Sequence, residues 1–146
     1  MNEETGVEKY LRLIEHDFGV LELLTASAKR AQPPKDVSDW QVTLIFYITC
    51  IYIKALGRSF GRDIQDHYGL RQWLNTEPDL VVIARPYRHI EEPSRDARYE
   101  GRRFDQAFLL LRIVPNFLQV RDHVADLLEK RGAKAVPRID PAPLLR

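Results

Sequence analysis

Apolar residues recur along this chain at two densities, and the contrast predicts its elements. Near the N-terminus Val7, Leu11, Ile14, Phe18 and Leu21 follow at steps of four and three, one stripe on a helix, while Glu8, Arg12, Glu15 and Lys29 take other faces. This predicts a helix over residues 4 to about 31, ended by Pro33-Pro34 because proline lacks the amide donor and restricts the residue before it. From about residue 40 to 57 the stripe widens until nearly every face is apolar: Val42, Leu44, Ile45, Phe46, Tyr47, Ile48, Ile51, Tyr52, Ile53 and Leu56. Several of these are β-branched, so a strand competes; the length favours a helix. Ser38 or Asp39 is the expected N-cap. A helix apolar all round must be covered by neighbours or by a second chain.

Beyond it the signals are shorter. Gly57 and Gly61 frame a loop, and a third helix is expected over about 63–74, with Leu70, Trp73 and Leu74 on its apolar side. Asn75-Thr76-Glu77-Pro78 breaks it, with Thr76 as the expected cap of the next element. That element, residues 79 to about 98, contains Pro86 and Pro93 and is expected to be a kinked or broken helix, followed by a break at Glu100-Gly101. A last helix over about 104–130 would bury Phe108, Leu111, Phe117, Val124, Leu127 and Leu128, bend or split at Pro115, and stop at Gly132. The tail, with Pro137, Pro141 and Pro143, has no helical period and is expected as a disordered end or an extended arm docked on a partner. The pattern thus predicts an all-α bundle of four or five helices, a domain over 1–132 and a Pro-containing tail over 133–146.

Composition narrows the chemistry. The 146 residues suit one domain, and 45 % hydrophobic with 29 % charged residues is enough for a core. A net charge of +1 gives little long-range pull on nucleic acid, so any such contact needs a local patch. Cys50 is the single cysteine, which rules out an internal disulfide and a cysteine-based zinc site. The acidic start Met1-Asn2-Glu3-Glu4 is unlike a signal peptide, and the run from 42 to 56 is short for a membrane span and carries Lys54; a cytoplasmic protein is expected. No phosphate-binding glycine loop, no His-Glu-x-x-His pair and no Gly-x-Ser-x-Gly elbow occurs. His16, His67, His89 and His123 lack metal-ligand spacing, so neither a metal nor a cofactor is expected.

Three ordered blocks over about sixty central residues carry a resemblance. They are the aromatic-rich run Phe46-Tyr47-Ile48-Thr49-Cys50-Ile51-Tyr52-Ile53-Lys54-Ala55-Leu56, then a Gly-containing loop leading to His67 and Arg71, then Tyr87 with Ser94-Arg95-Asp96-Ala97-Arg98-Tyr99. Together they resemble the HEPN superfamily of prokaryotic helical bundles. The resemblance implies a HEPN-like bundle, frequent homodimers, and roles in toxin–antitoxin, CRISPR-related and other antiphage systems. Catalytic members are metal-independent ribonucleases with an Arg-x4-6-His motif, one copy from each subunit lining a shared cleft; other members bind nucleotides or partner proteins.

Arg62-Asp63-Ile64-Gln65-Asp66-His67 meets that spacing. A neutral histidine can take the proton of a ribose 2′-hydroxyl, and an arginine can hold the scissile phosphate. Arg62 and His67 are accordingly the candidate catalytic pair, and Asp63, Arg71, Arg95 and Arg98 the candidate substrate-binding set. The plainer readings stand beside these. His67 can simply begin a helix and bond the backbone, Arg71 can pair with Asp63 or Asp66, and Arg85 to Arg103, interleaved with Glu91, Glu92, Asp96 and Glu100, can form a solvated salt-bridged surface. Expected partners are a second copy or an obligate protein complex, with RNA or a nucleotide as ligand and no membrane. The rival to an RNA-acting defence component is a non-catalytic HEPN-like binding module.

Overall fold

The computed structural model describes residues 6–146, so the expected helix start at Glu4 and the acidic first residues lie outside the described part. Four helices come first: α1 (Gly6–Arg30), α2 (Ser38–Ser59), α3 (His67–Thr76) and α4 (Val81–Glu100). A composite rod follows, made of α5 (Gln106–Phe108), a π-helical segment (Leu109–Ile113) and α6 (Val114–Lys130), and a 3-10 turn (Ala142–Leu145) closes the chain. No strand occurs among the described residues. The architecture is a helical bundle, as the pattern predicts.

The all-round apolarity of α2 has a direct structural cause. α1, α4 and α6 all pack against it, α3 touches it more lightly, and only Trp40, Tyr47 and Arg58 along it are exposed. Phe46, Tyr52, Ile53 and Leu56 are fully buried, each worth about 1.5–3 kcal/mol of transfer free energy. Neighbours within the chain cover most of this helix and leave Trp40 and Tyr47 as its exposed large side chains. By length and composition α2 could cross a membrane, but 72 % of its most apolar 18-residue window is buried by the rest of the chain, as in a core helix.

Several boundaries differ from expectation. Neither Ser38 nor Asp39 caps α2: the N-cap is Val37, and the Ser38 hydroxyl accepts a hydrogen bond from the Phe104 amide at 2.8 Å, tying the start of α2 to the loop after α4. Gly57 lies inside α2, where a side chain would press on Ile64. α3 begins four residues later than predicted, because Asp66 caps it by accepting from the Gly69 amide at 2.7 Å. Thr76 ends α3 instead of capping α4, whose N-cap is Leu80. Pro86 and Pro93 do not break α4; both rings are buried, and burial outweighs the lost amide bonds. α4 stops at Gly101, whose φ of 64° is the left-handed conformation glycine takes without penalty.

The last helix is divided at Pro115, as expected: the regular α6 starts at Val114, with Pro115 in its first turn. The chain widens into the π-helical segment just before it, with the Val114 amide donating to the Leu109 carbonyl, which relieves the clash a proline ring meets in a regular turn. The wider turn also rotates Leu111 outward to 79 % exposure, so it is not part of the buried side. The tail, expected as a free end or a partner-docking arm, lies back on its own bundle. Tyr52 donates its hydroxyl proton to the Pro137 carbonyl, Arg121 donates to the Ile139 carbonyl at 2.8 Å, and Gln106 to the Leu145 carbonyl at 2.9 Å. Arg138 pairs with Asp126 at 2.6 Å and Glu129 at 2.9 Å, while Ala142 and Leu145 are buried.

Candidate functional site

The inner face of α4 carries Ile83, Tyr87, Ile90, Glu91, Ser94 and Ala97, all buried. The spacing is that of one helical stripe, so a carboxylate at 91 is carried into the interior with its apolar neighbours. Glu91 is 3 % exposed and is satisfied from three sides. Arg71, one turn into α3, donates through Nη1 to Oε2 at 2.9 Å; the Tyr87 hydroxyl donates to the same oxygen at 2.9 Å; Arg95, one turn further along α4, stands 3.9 Å from Oε1. A buried carboxylate requires such partners, and here they come from two helices. Burial, with Cys50 and Glu91 adding to it, raises the Tyr87 phenol above its ordinary range, so it stays a donor.

His67 sits beside this cluster. As the first residue of α3 it is half-buried, with its ring 5.2 Å from that of Phe46 and its Nδ1 4.0 Å from the Cys50 sulfur. Burial pushes the Cys50 thiol up to about 12, so it remains protonated. Burial also lowers the His67 pKa from its ordinary value near 6.5, and the positive charge of Arg98 lowers it further; Glu91 opposes both. The imidazole is therefore neutral at pH 7. Its Nε2 makes no hydrogen bond among the described residues.

Arg98 is held over the same aromatic floor. Its guanidinium lies 5.1 Å from the Phe46 ring centre, 5.8 Å from that of Tyr47 and 5.4 Å from that of Tyr99. Nε donates to the Ser94 carbonyl at 3.2 Å, which fixes the side chain along α4. Phe46 thus links His67 on one side to Arg98 on another.

Of the residues singled out by sequence, the structure gathers Arg71 and Arg95 on Glu91 and sets His67 and Arg98 against the Phe46 ring. Arg62 and Asp63 join neither group. Arg62 is exposed in the loop before α3, its guanidinium 5.6 Å from the centre of the Trp73 ring, and nothing among the described residues joins it to His67. Asp63 is exposed and accepts from Gln65 at 2.6 Å. The expected pairing of Arg71 with Asp63 or Asp66 is replaced by its bond to Glu91, because Asp66 is occupied as the α3 cap. The interleaved arginines divide accordingly: Arg102 pairs with Asp96 at 3.1 Å on the surface, whereas Arg71 and Arg95 face a buried acid.

Sequence reading passed over Glu91, Cys50 and the floor residue Phe46 as site members. For Glu91 the signal was present: Tyr87, Glu91 and Arg95 follow at steps of four on a helix whose other residues in that register are apolar. Among the described residues no group of three or more His, Cys, Asp or Glu is placed to hold a metal ion. No family model, curated protein or solved structure matches the chain.

Proposed function

We propose that this protein is a HEPN-like, RNA-acting component of a prokaryotic defence or toxin–antitoxin system, cleaving phosphodiesters without a metal. One arrangement carries the reading: His67 and Arg98 share the Phe46 ring, and Arg71 and Arg95 are held by the buried Glu91 where α3 meets α4. In this reading His67 takes the proton of a ribose 2′-hydroxyl. The freed oxygen attacks the adjacent phosphorus, and the 5′-oxygen departs with a proton from solvent, leaving a 2′,3′-cyclic phosphate. Arg98 stabilises the charge that develops on the phosphoryl oxygens, with Arg71 and Arg95 binding the strand. Arg98 takes the role the spacing motif assigns to Arg62.

The test is cleavage of labelled RNA by purified protein in EDTA. His67→Ala should slow it by about a hundredfold or more, the scale of lost general-base catalysis. Arg98→Ala should slow it comparably, and Arg62→Ala should not. An Arg62→Ala enzyme as slow as His67→Ala would restore the spacing motif and remove Arg98. The resemblance also makes a homodimer or a complex with another protein the working state. Trp40 and Tyr47, the large side chains that α2 leaves exposed, support that expectation, and light scattering at micromolar concentration checks it. A second reading, a non-catalytic module that binds a protein or nucleotide, is favoured by the position of Arg62 over Trp73, away from His67. Wild-type protein that cuts no RNA even when freed of partners would select it.

A further inference from the structure

A cavity of about 300 Å³ opens between α3 and α4, one helical turn along α3 from His67. Leu74, Ala84 and Tyr87 form its floor; Arg71, Asn75 and Arg88 form its rim. Two of these six residues are cationic and none is acidic. Glu91 takes one nitrogen of Arg71 from behind and fixes the guanidinium, leaving its other nitrogens without a partner among the described residues. Arg88 is exposed and makes no ion pair or hydrogen bond through its side chain among the described residues. Asn75, exposed on the last turn of α3, adds an amide that can donate.

We infer that this cavity is a binding site for a phosphate monoester, either the 5′-terminal phosphate of an RNA strand or that of a free nucleotide. The number of acceptors selects the monoester. It presents three terminal oxygens, one for each of the donor groups of Arg71, Arg88 and Asn75. A diester inside a strand offers only two non-bridging oxygens, and since Glu91 already balances Arg71, the open charge of the rim is that of Arg88. The volume lies at the lower end for small-ligand sites, enough for a phosphate with its ribose. Arg71 bridges this cavity and the Glu91 cluster, so a terminal phosphate bound here would set where a strand crosses His67. That last consequence rests on the proposed RNA-directed activity; the phosphate site does not.

The test measures affinity of the full chain, in EDTA, for one 3′-labelled RNA carrying either a 5′-phosphate or a 5′-hydroxyl, with adenosine 5′-monophosphate and inorganic phosphate as competitors. The 5′-phosphorylated RNA should bind about tenfold more tightly, the scale of one charge-assisted hydrogen bond. Arg88→Glu should erase the difference while leaving 5′-hydroxyl RNA binding and thermal melting unchanged, since Arg88 holds nothing else in place. Asn75→Ala should narrow it. Equal affinity for the two RNAs would overturn the phosphate site and leave the RNA reading standing. Arg88-dependent binding of the monophosphate without RNA affinity would keep the site and remove the RNA reading. Absence of binding by any of the probes would overturn both.

Discussion

Replacing Glu91 with alanine should be among the most damaging single changes in this protein. The carboxylate is 3 % exposed and accepts two hydrogen bonds at 2.9 Å, from Arg71 and from Tyr87. Removing it strands both donors. Arg71 is more than a third exposed and can turn to water, so its share is discounted for solvent screening. Tyr87 is 1 % exposed, and its other polar neighbour is the Cys50 thiol, a weak hydrogen-bonding group. The lost carboxylate partner, the void left by the side chain and the lost ion pair place the cost at about 3–5 kcal/mol, the usual range for breaking a buried pair. For a chain of this size each kcal/mol moves the melting temperature by about 2–4 °C, so a fall of roughly 10 °C is expected in a circular dichroism melt. Glu91→Gln keeps an oxygen acceptor for Tyr87 and should lose less. The double variant Glu91→Ala/Arg71→Ala should be no worse than Glu91→Ala alone, because the residues act as one unit. A Glu91→Ala protein melting within about 2 °C of wild type would show that Glu91 does not tie α3 to α4, and the site built on it would fall with it.

Three further outcomes follow from the same geometry. The unfolded chain protonates His67 near its ordinary pKa of 6.5 and the folded chain only at lower pH, so its contribution to stability is complete above 6.5 and declines as pH falls through that value; His67→Gln should flatten this part of the stability–pH profile measured by urea denaturation. Leu145→Ala should cost about 2 kcal/mol in the same assay, because the C-terminal turn is packed into the bundle, and a neutral result would mean the arm is not held there. Ser38→Ala leaves the Phe104 amide without its acceptor and should cost about 1–2 kcal/mol, with faster hydrogen exchange at that amide.

The fold was legible wherever periodicity alone decides. The stripe Val7 to Leu21 and the all-round apolar α2 both became what their spacing predicts. Errors gathered where a local rule competed with burial. Pro86 and Pro93 suggest a kink or a break, yet both are buried inside an unbroken α4, whereas Pro115 does mark a division, between the π-helical segment and α6. The tail was opaque for a different reason. Its hold on the bundle comes largely through backbone carbonyls at Pro137, Ile139 and Leu145 and through Arg138, and carbonyl acceptors leave no mark in a sequence.

At the candidate site the useful signal and the misleading one lay within a few residues of each other. Arg62 and His67 are five apart, and a five-residue step on one helix would turn them about 140° from each other, so the spacing makes them neighbours on no single helix. By capping α3, Asp66 makes His67 the first helical residue and leaves Arg62 in the loop, its guanidinium over the Trp73 ring. The guanidinium that does reach the histidine's surroundings comes from α4, thirty-one positions later, and is carried there by a shared aromatic neighbour, Phe46, not by a shared helix. No linear motif encodes such a placement. What the sequence does encode is the means of assembling it: an acid in the apolar register of α4, tyrosine and arginine one turn to either side, and an aromatic on the helix opposite. A linear Arg–His spacing tests only what a single segment can bring together, whereas this site draws on α2, α3 and α4 at once, with Glu91 as the residue that binds two of them.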